Sequence, residues 1–268
     1  MSESKRRTAS THIVLHAKAP ARLLLSIAVA DKANSEETLV VRQDEVEVPV
    51  RELVEPNGNR LHIAEVTGGR VTVSYDATIT EVTPPPPVEE SDLILYSRQS
   101  RYCESDQLGN VARAEFGGLA GIELVNSVRD WVNQQLSYTP GTSRSSDGAL
   151  HTLISRHGVC RDFAHLNIAL LRALDVPARL VSTYAPGVTP ADFHAVTEAF
   201  IDGSWHVFDS TGKAPRQTLM RIATGRDAAD TAWLSVVGGQ VNFGSLAVNA
   251  EADDIQEDDH TALVNLPA

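Results

Sequence analysis

Three residues of this chain could carry out chemistry together: one cysteine, one histidine and one aspartate. Cys160 stands at the start of an apolar run, and His194 and Asp209 each lie in a β-type segment farther along the chain. A thiol can serve as a nucleophile, an imidazole as its base, and a carboxylate as the group that orients the imidazole. The three residue types therefore make a complete set for covalent catalysis, provided that the fold brings them together.

The segment that follows Cys160 predicts a long and largely buried helix. Its residues are apolar around most of the circumference to about Leu174, which leaves a polar stripe of Arg161, His165 and Arg172. The first turn of a helix has unpaired N–H groups and the positive end of the macrodipole, and both favour a thiolate. We therefore expect a reactive thiol at position 160. The alternative is an inert cysteine that packs as a small hydrophobe.

The β-type runs on either side of an Asp-Gly pair predict a hairpin with one definite register. This pair, at 202–203, is a strong signal for a two-residue turn and places Ile201 opposite Ser204. Counted outward from the turn, His194 and Asp209 become diagonal neighbours on one face of the sheet. Diagonal neighbours lie about 7–8 Å apart at Cα, which is within reach of a histidine and a carboxylate.

The same register assigns the remaining residues of the hairpin to its two faces. Val196 and Val207 share the face of His194, and we expect this face to pack against the helix that begins at Cys160. His206 falls on the opposite face, so we exclude it from the candidate site.

The order of the elements predicts an α+β fold in which a central helix packs on an antiparallel sheet. Strand-like alternation over 11–82 indicates a small antiparallel β domain at 1–88, and the proline run at 84–87 marks its end. Helices followed by strands form a second domain at 89–250. We expect an acidic, solvated tail at 251–268.

Composition and charge exclude several functional classes. The 268 residues include 35 acids and 23 bases, and the net charge of −12 gives no electrostatic basis for a nucleic-acid or anionic-membrane partner. The apolar stretch at 21–30 is too short to span a bilayer. The opening residues do not form a secretory signal, and two cysteines cannot build a disulfide framework, so we expect a cytoplasmic protein.

Five short stretches resemble successive motifs of the bacterial transglutaminase-like superfamily: 158–165, 177–179, 192–195, 205–212 and 225–230. The resemblance is strong from about 145 to 235. It implies a papain-like fold with Cys160 as the nucleophile, His194 as the base and Asp209 as the residue that orients it. The chain departs from many relatives at Val196, where they have Trp, and at Ser210, where they have Pro.

This resemblance implies cysteine-dependent acyl transfer or hydrolysis on a carboxamide or peptide through a thioester. The family includes amide cross-linking enzymes, deamidases and cysteine peptidases, so the acceptor stays open between a primary amine and water. A non-catalytic binding role on the same scaffold is a further alternative. The expected partner is a protein or peptide acyl donor, no cofactor is expected, and the oligomeric state is left open.

Other polar residues near the motifs have simpler roles. Zinc binding by His157, Cys160 and His165 lacks a fourth ligand, so no metal is expected. Cys103 is most simply a structural thiol, and His165 is a surface or hydrogen-bonded residue. The backbone N–H of Cys160 is the expected first oxyanion donor, and the candidates for a second donor are Tyr138 and Trp131.

Overall fold

The computed structural model describes residues 6–81, 83–85 and 87–267. The expectations that concern residues 1–5, Val82, Pro86 and Ala268 lie outside this range. Within it, most helices and most strands lie in separate stretches of the chain and the large sheets are antiparallel, which confirms the α+β class. No helix in these ranges has the length and apolar character that a membrane span requires.

Seven strands occupy the first part of the chain, and two more lie near its end. The first seven are β1 (Arg7–Ala17), β2 (Ala21–Leu25), β3 (Ser35–Gln43), β4 (Val46–Val48), β5 (Val50–Val54), β6 (Arg60–Val66) and β7 (Gly69–Ile79). The two late strands are β14 (Leu234–Val237) and β15 (Val241–Ala252). Strict alternation of buried and more exposed residues in β1 and β7 shows that one face of their sheet forms a core.

The middle of the chain holds the helices and a second set of strands. The helices are α1 (Glu90–Leu95), α2 (Ser105–Phe116), α3 (Gly121–Gln135), α4 (Ala149–Ser155) and α5 (Cys160–Arg172). The strands are β8 (Ser137–Tyr138), β9 (His157–Gly158), β10 (Ala178–Tyr184), β11 (Phe193–Ile201), β12 (Ser204–Phe208) and β13 (Met220–Gly225). A short 3₁₀ turn covers Arg216–Thr218.

Strand pairing crosses the predicted division of the chain. One sheet has the order β15-β1-β7-β3-β4 and another has the order β14-β2-β6-β5, so strands from beyond residue 230 complete both N-terminal sheets. The predicted domain limits at residues 88 and 250 stay a prediction, but both N-terminal sheets contain strands from beyond the first of these limits. Sequence patterns missed this because antiparallel pairing between distant strands leaves no local trace.

Helix α5 begins at Cys160 because the residues around its first turn stop the preceding chain and cap the new helix. The Asp162 carboxylate accepts a hydrogen bond from the Val159 N–H at 2.8 Å, which satisfies a donor at the helix start. The helix packs on β10 and β11 and is buried over most of its length. This confirms the predicted central helix. Its polar stripe is not exposed, however, because His165 and Arg172 are both buried.

The predicted hairpin register is confirmed. Ile201 pairs with Ser204 and Glu198 with Val207, and the turn residues at 202–203 both have positive φ, as a tight hairpin turn requires. The ladder ends at Phe208, one residue before Asp209.

The expected packing of the hairpin on α5 is wrong. Ala199 and Phe208, on the face opposite His194, share a core with α5, whereas Val196 and Val207 pack in a separate cluster. Both faces of this sheet are covered, so the alternation of apolar residues could not tell which face receives the helix.

The expectation of a solvated acidic tail agrees with the exposure of Glu251, Glu257 and Asp259, but it does not hold for Asp258. The Asp258 side chain is 3% exposed and pairs with the fully buried Arg216, and Leu266 is buried in the cluster of Val196 and Val207. A buried guanidinium needs a carboxylate partner, and here the chain end supplies it. Acid-rich composition therefore described only part of this segment.

Candidate active site

Cys160 is the first residue of α5 and is partly exposed. Its Sγ lies 3.9 Å from the carbonyl oxygen of Phe193, the residue before His194. The nucleophile candidate therefore sits at the helix start, at the positive end of the helix macrodipole, and next to the beginning of β11.

His194 is buried between a carboxylate and the thiol. Its Nε2 lies 3.0 Å from Oδ2 of Asp209, and both side chains are almost fully enclosed. Burial lowers the pKa of His194, but the charge of Asp209 and hydrogen bonds to Asp209 and Cys160 outweigh it and raise this pKa to about 10. The imidazole can therefore hold a proton beside the sulfur at neutral pH.

The loop after β12 wraps around the carboxylate of Asp209. Oδ1 accepts hydrogen bonds from the N–H and the hydroxyl of Thr211 at 2.9 and 2.7 Å, and Oδ2 accepts from the N–H of Lys213 and of Ala214 at 3.2 and 3.0 Å. Burial raises the pKa of Asp209, but His194 and the donors from Thr211 hold it well below its ordinary value. The aspartate is thus ionised and fixed in place.

The three residues predicted for the site are therefore adjacent, and their catalytic roles stay a prediction. The nucleophile candidate lies on a helix, the base candidate on a strand and the orienting carboxylate at the start of a loop, in this order along the chain. The register of the hairpin alone does not join them, because Asp209 lies beyond the ladder. The wrapped loop completes the arrangement.

Tyr138 lies beside the thiol, whereas Trp131 does not. Burial and the nearby Cys160 raise the pKa of Tyr138 to about 12, although a hydrogen bond with the Cys160 backbone opposes this. The ammonium of Lys213 stands 4.5 Å from the centre of the Tyr138 ring. The indole N–H of Trp131 donates to Glu115 at 3.1 Å, so the structure offers no support for Trp131 as an oxyanion donor.

The remaining cysteine and histidine candidates have structural partners. Cys103 is fully buried, and burial raises the pKa of its thiol, as suits an inert core residue. His165 is buried rather than on the surface: its Nε2 accepts the N–H of Ala228 at 3.1 Å. Nε2 of His206 lies 2.8 Å from the Ser204 hydroxyl. In the described part of the chain, no group of three His, Cys, Asp or Glu residues is placed to hold a metal.

Sequence reasoning missed the residues that anchor the backbone next to Asp209. Asn167 of α5 donates to the Ser210 hydroxyl at 2.7 Å, and Asn133 of α3 donates to the Ser210 carbonyl at 2.8 Å. An asparagine in the middle of an apolar helix was the available signal, because buried polar side chains normally have a partner. Ser210 is thus held from two helices.

The chain was compared with known families and structures. The sequence pattern of the transglutaminase-like superfamily matches residues 113–210, a range that contains all three candidate site residues. A solved structure from Cytophaga hutchinsonii, titled "a Putative Cysteine Protease", is 32% identical and superposes with a TM-score of 0.85, covering 95% of this chain and 93% of that one. This agreement confirms the predicted fold class, papain-like and transglutaminase-like.

Curated relatives share a shorter region. The Mycobacterium leprae protein ML0607 is 31% identical over 110 residues, which are 38% of this chain and 39% of that protein. The Mycobacterium tuberculosis protein Rv2569c is 36% identical over 63 residues, which are 24% of this chain and 20% of that protein. The chain thus matches well under half the length of these relatives.

Proposed function

This chain belongs to the transglutaminase-like superfamily, and from that premise we propose that it is a cysteine-dependent acyl-transfer enzyme acting on carboxamides of proteins or peptides. One observation carries the proposal. The imidazole of His194 lies 3.0 Å from the Asp209 carboxylate and also interacts with the Cys160 side chain. A thiol beside a protonated, oriented imidazole is the arrangement that acyl transfer needs.

In the first proposed half-reaction, the Cys160 sulfur forms a bond to the carbonyl carbon of the carboxamide. The C–N bond of the substrate then breaks, and His194 gives its proton to the departing ammonia or amine. The product on the enzyme is a thioester, and the imidazole is neutral. Asp209 holds the imidazole in one orientation throughout.

In the second proposed half-reaction, an acceptor attacks the thioester carbonyl and releases the thiolate. The neutral imidazole of His194 takes the proton of that acceptor, so the histidine returns to its starting state. A primary amine as acceptor gives a new amide, and water gives the free carboxylate. How well the site excludes water decides between these outcomes.

The proposed oxyanion donor is the backbone N–H of Cys160. Its position at the start of α5 suits a developing negative charge, because the helix macrodipole is positive there. This N–H lies next to the hydroxyl of Tyr138, which stays a candidate for the second donor.

Hydrolysis is the second candidate function. It is favoured by the structural relative from Cytophaga hutchinsonii, which is described as "a Putative Cysteine Protease" and which covers nearly the whole chain.

The proposed partners are a protein or peptide acyl donor and a primary amine. A cytoplasmic location is proposed because both thiols are free.

The experiment is a mass-resolved incubation with a glutamine peptide, with and without a primary amine. The proposal expects loss of ammonia from the peptide, together with amine incorporation if transfer prevails over hydrolysis. Cys160→Ala should abolish both products, and Cys103→Ala, the matched control, should retain them. An unchanged peptide after incubation with the wild-type protein at several pH values would contradict the proposal.

A further inference from the structure

The last part of the chain runs along the strand that leads to Asp209. Strand β12 is at the end of its sheet, and the segment 253–267 reaches its outer edge at residues 264 and 265. The Val207 N–H donates to the Val264 carbonyl at 2.8 Å, and the Asn265 side chain donates to the Trp205 carbonyl at 2.7 Å. The segment is therefore bound to the catalytic sheet by hydrogen bonds that β12 would otherwise offer to water.

A fully buried arginine joins this segment to the loop around Asp209. Arg216 donates through Nη1 to the carbonyl of Val207 at 2.9 Å, so it bridges the strand before Asp209 and the chain after it. Its Nε and Nη2 donate to the two oxygens of Asp258 at 2.7 and 2.9 Å. The backbone N–H of Arg216 also donates to Asp258, at 3.0 Å. We call this pair the Arg216–Asp258 clamp.

The clamp closes the loop that presents Asp209 to His194. The loop begins at Asp209 and ends at the clamp, and the N–H of Ala214, two residues before Arg216, donates to the carboxylate. A guanidinium with no exposed surface is stable here only while Asp258 neutralises it. Loss of Asp258 would leave that charge unpaired beside the loop.

We propose that Asp258 is a positioning residue of the active site, which acts through Arg216 to hold the loop that aligns Asp209 with His194. This inference rests on the function proposed above. It makes the segment 253–267 part of the catalytic unit, although it contributes no group to the reaction.

The test compares Asp258→Asn with Asp259→Asn in the full chain. Asp259 is the adjacent acid, but it is exposed, and its carboxylate accepts hydrogen bonds from Thr261 and from the backbone of Ala262 rather than from Arg216. Both variants lose one negative charge from the same segment, but only Asp258→Asn changes the contacts with Arg216. Asp258 also accepts a hydrogen bond from the His260 N–H at 2.9 Å. Folding is checked by circular dichroism and thermal unfolding.

Two readouts separate positioning from a merely structural role. The first is the pH profile of iodoacetamide alkylation of Cys160, whose midpoint should move up by about one pH unit in Asp258→Asn because His194 stabilises the thiolate less well. The second is turnover of a glutamine peptide, where kcat should fall about tenfold while KM changes less than about twofold. Asp259→Asn should match the wild type in both.

The alkylation profile makes the test independent of turnover. His194→Asn serves as the reference, because it removes the imidazole that the clamp is proposed to position. If the wild type differs from His194→Asn but Asp258→Asn matches the wild type, the clamp proposal is overturned and the proposed function is untouched. If no peptide is turned over, a shifted profile in Asp258→Asn still supports the clamp.

A second variant covers the case in which Asp258→Asn does not fold. Arg216→Lys keeps a positive charge beside Asp258 but loses the forked contact to Val207 and to both carboxylate oxygens. The proposal expects the same upward shift of the alkylation midpoint. A folded Arg216→Lys protein with the wild-type profile would overturn the proposal.

Discussion

Two buried carboxylates, one in β11 and one just after β12, have different partners. Asp209, just beyond β12, pairs with the imidazole of His194. Glu198, in the middle of β11, pairs with the guanidinium groups of Arg179 and Arg221 at 2.7 and 2.6 Å. Burial raises the pKa of each carboxyl, but the paired cations prevail, and the pKa of Glu198 falls to about 2. Both groups are therefore ionised.

The partner distinguishes a site from a structural pair. A guanidinium does not give up its proton in a protein, so the Glu198 cluster can only hold the sheet together. An imidazole can release and accept a proton, and His194 lies next to a partly exposed thiol. A buried ion pair thus indicates function only where one member can exchange a proton and a nucleophile lies within reach.

The largest expected effect is on turnover in Asp209→Asn. The asparagine keeps the shape of the side chain but removes the charge that orients the imidazole, so kcat should fall by about 10⁴-fold, as in other triads. Steady-state kinetics on a glutamine peptide measures this. Glu198→Gln should lose less than about tenfold if its cluster is structural. Equal losses of kcat in the two variants would contradict the distinction between a site carboxylate and a structural one.

The second-largest effect is on stability. Here Glu198, rather than Asp209, is the residue whose substitution should matter more. Glu198→Gln leaves two buried guanidinium groups without a counter-charge, which should cost about 3–5 kcal/mol of unfolding free energy. Glu65→Gln is the control, because its pair with Arg22 is exposed to solvent and should contribute less than about 1 kcal/mol. Urea unfolding tests this. Equal stabilities of the two variants would contradict a structural role for Glu198.

Several of these features could be predicted from sequence, because local chemistry determines them. The Asp-Gly turn sets the hairpin register, and the apolar run with Asp162 at its start sets the beginning of α5. The face that α5 covers and the burial of Asp258 could not be predicted. They depend on contacts between residues that are far apart in sequence, such as Arg216 with Asp258, and no local periodicity encodes such contacts.

A third prediction compares the two thiols. At pH 7, Cys160 should be alkylated by iodoacetamide at least about tenfold faster than Cys103, because only Cys160 is partly exposed, at a helix start and beside an imidazole. Peptide mapping after timed labelling gives both rates. His194→Asn should reduce the ratio, whereas Glu198→Gln should leave it unchanged. Similar labelling of the two thiols in the wild type would count against the site.

The smallest effect is on pH dependence. The pKa of His194 is raised from its ordinary 6.5 to about 10, so its contribution to stability is complete below about pH 6.5 and is lost as pH rises through about 10. Turnover that requires the imidazolium should fall over the same upper range. Asp209→Asn removes the charge that raises this pKa, so the fall in stability and in turnover should move down by about one pH unit or more. If neither pH profile moves in this variant, Asp209 does not control the pKa of His194.

The most direct test of the central claim is an intact-mass measurement of the protein during incubation with a glutamine peptide. If Cys160 is the nucleophile, the wild-type protein gains the mass of the peptide less ammonia, and peptide mapping locates the adduct on Cys160. Added hydroxylamine should remove it, since a thioester reacts with this nucleophile. Rapid quenching in acid keeps a short-lived adduct visible. An adduct on any other residue, or peptide conversion that persists in Cys160→Ala, would contradict the account.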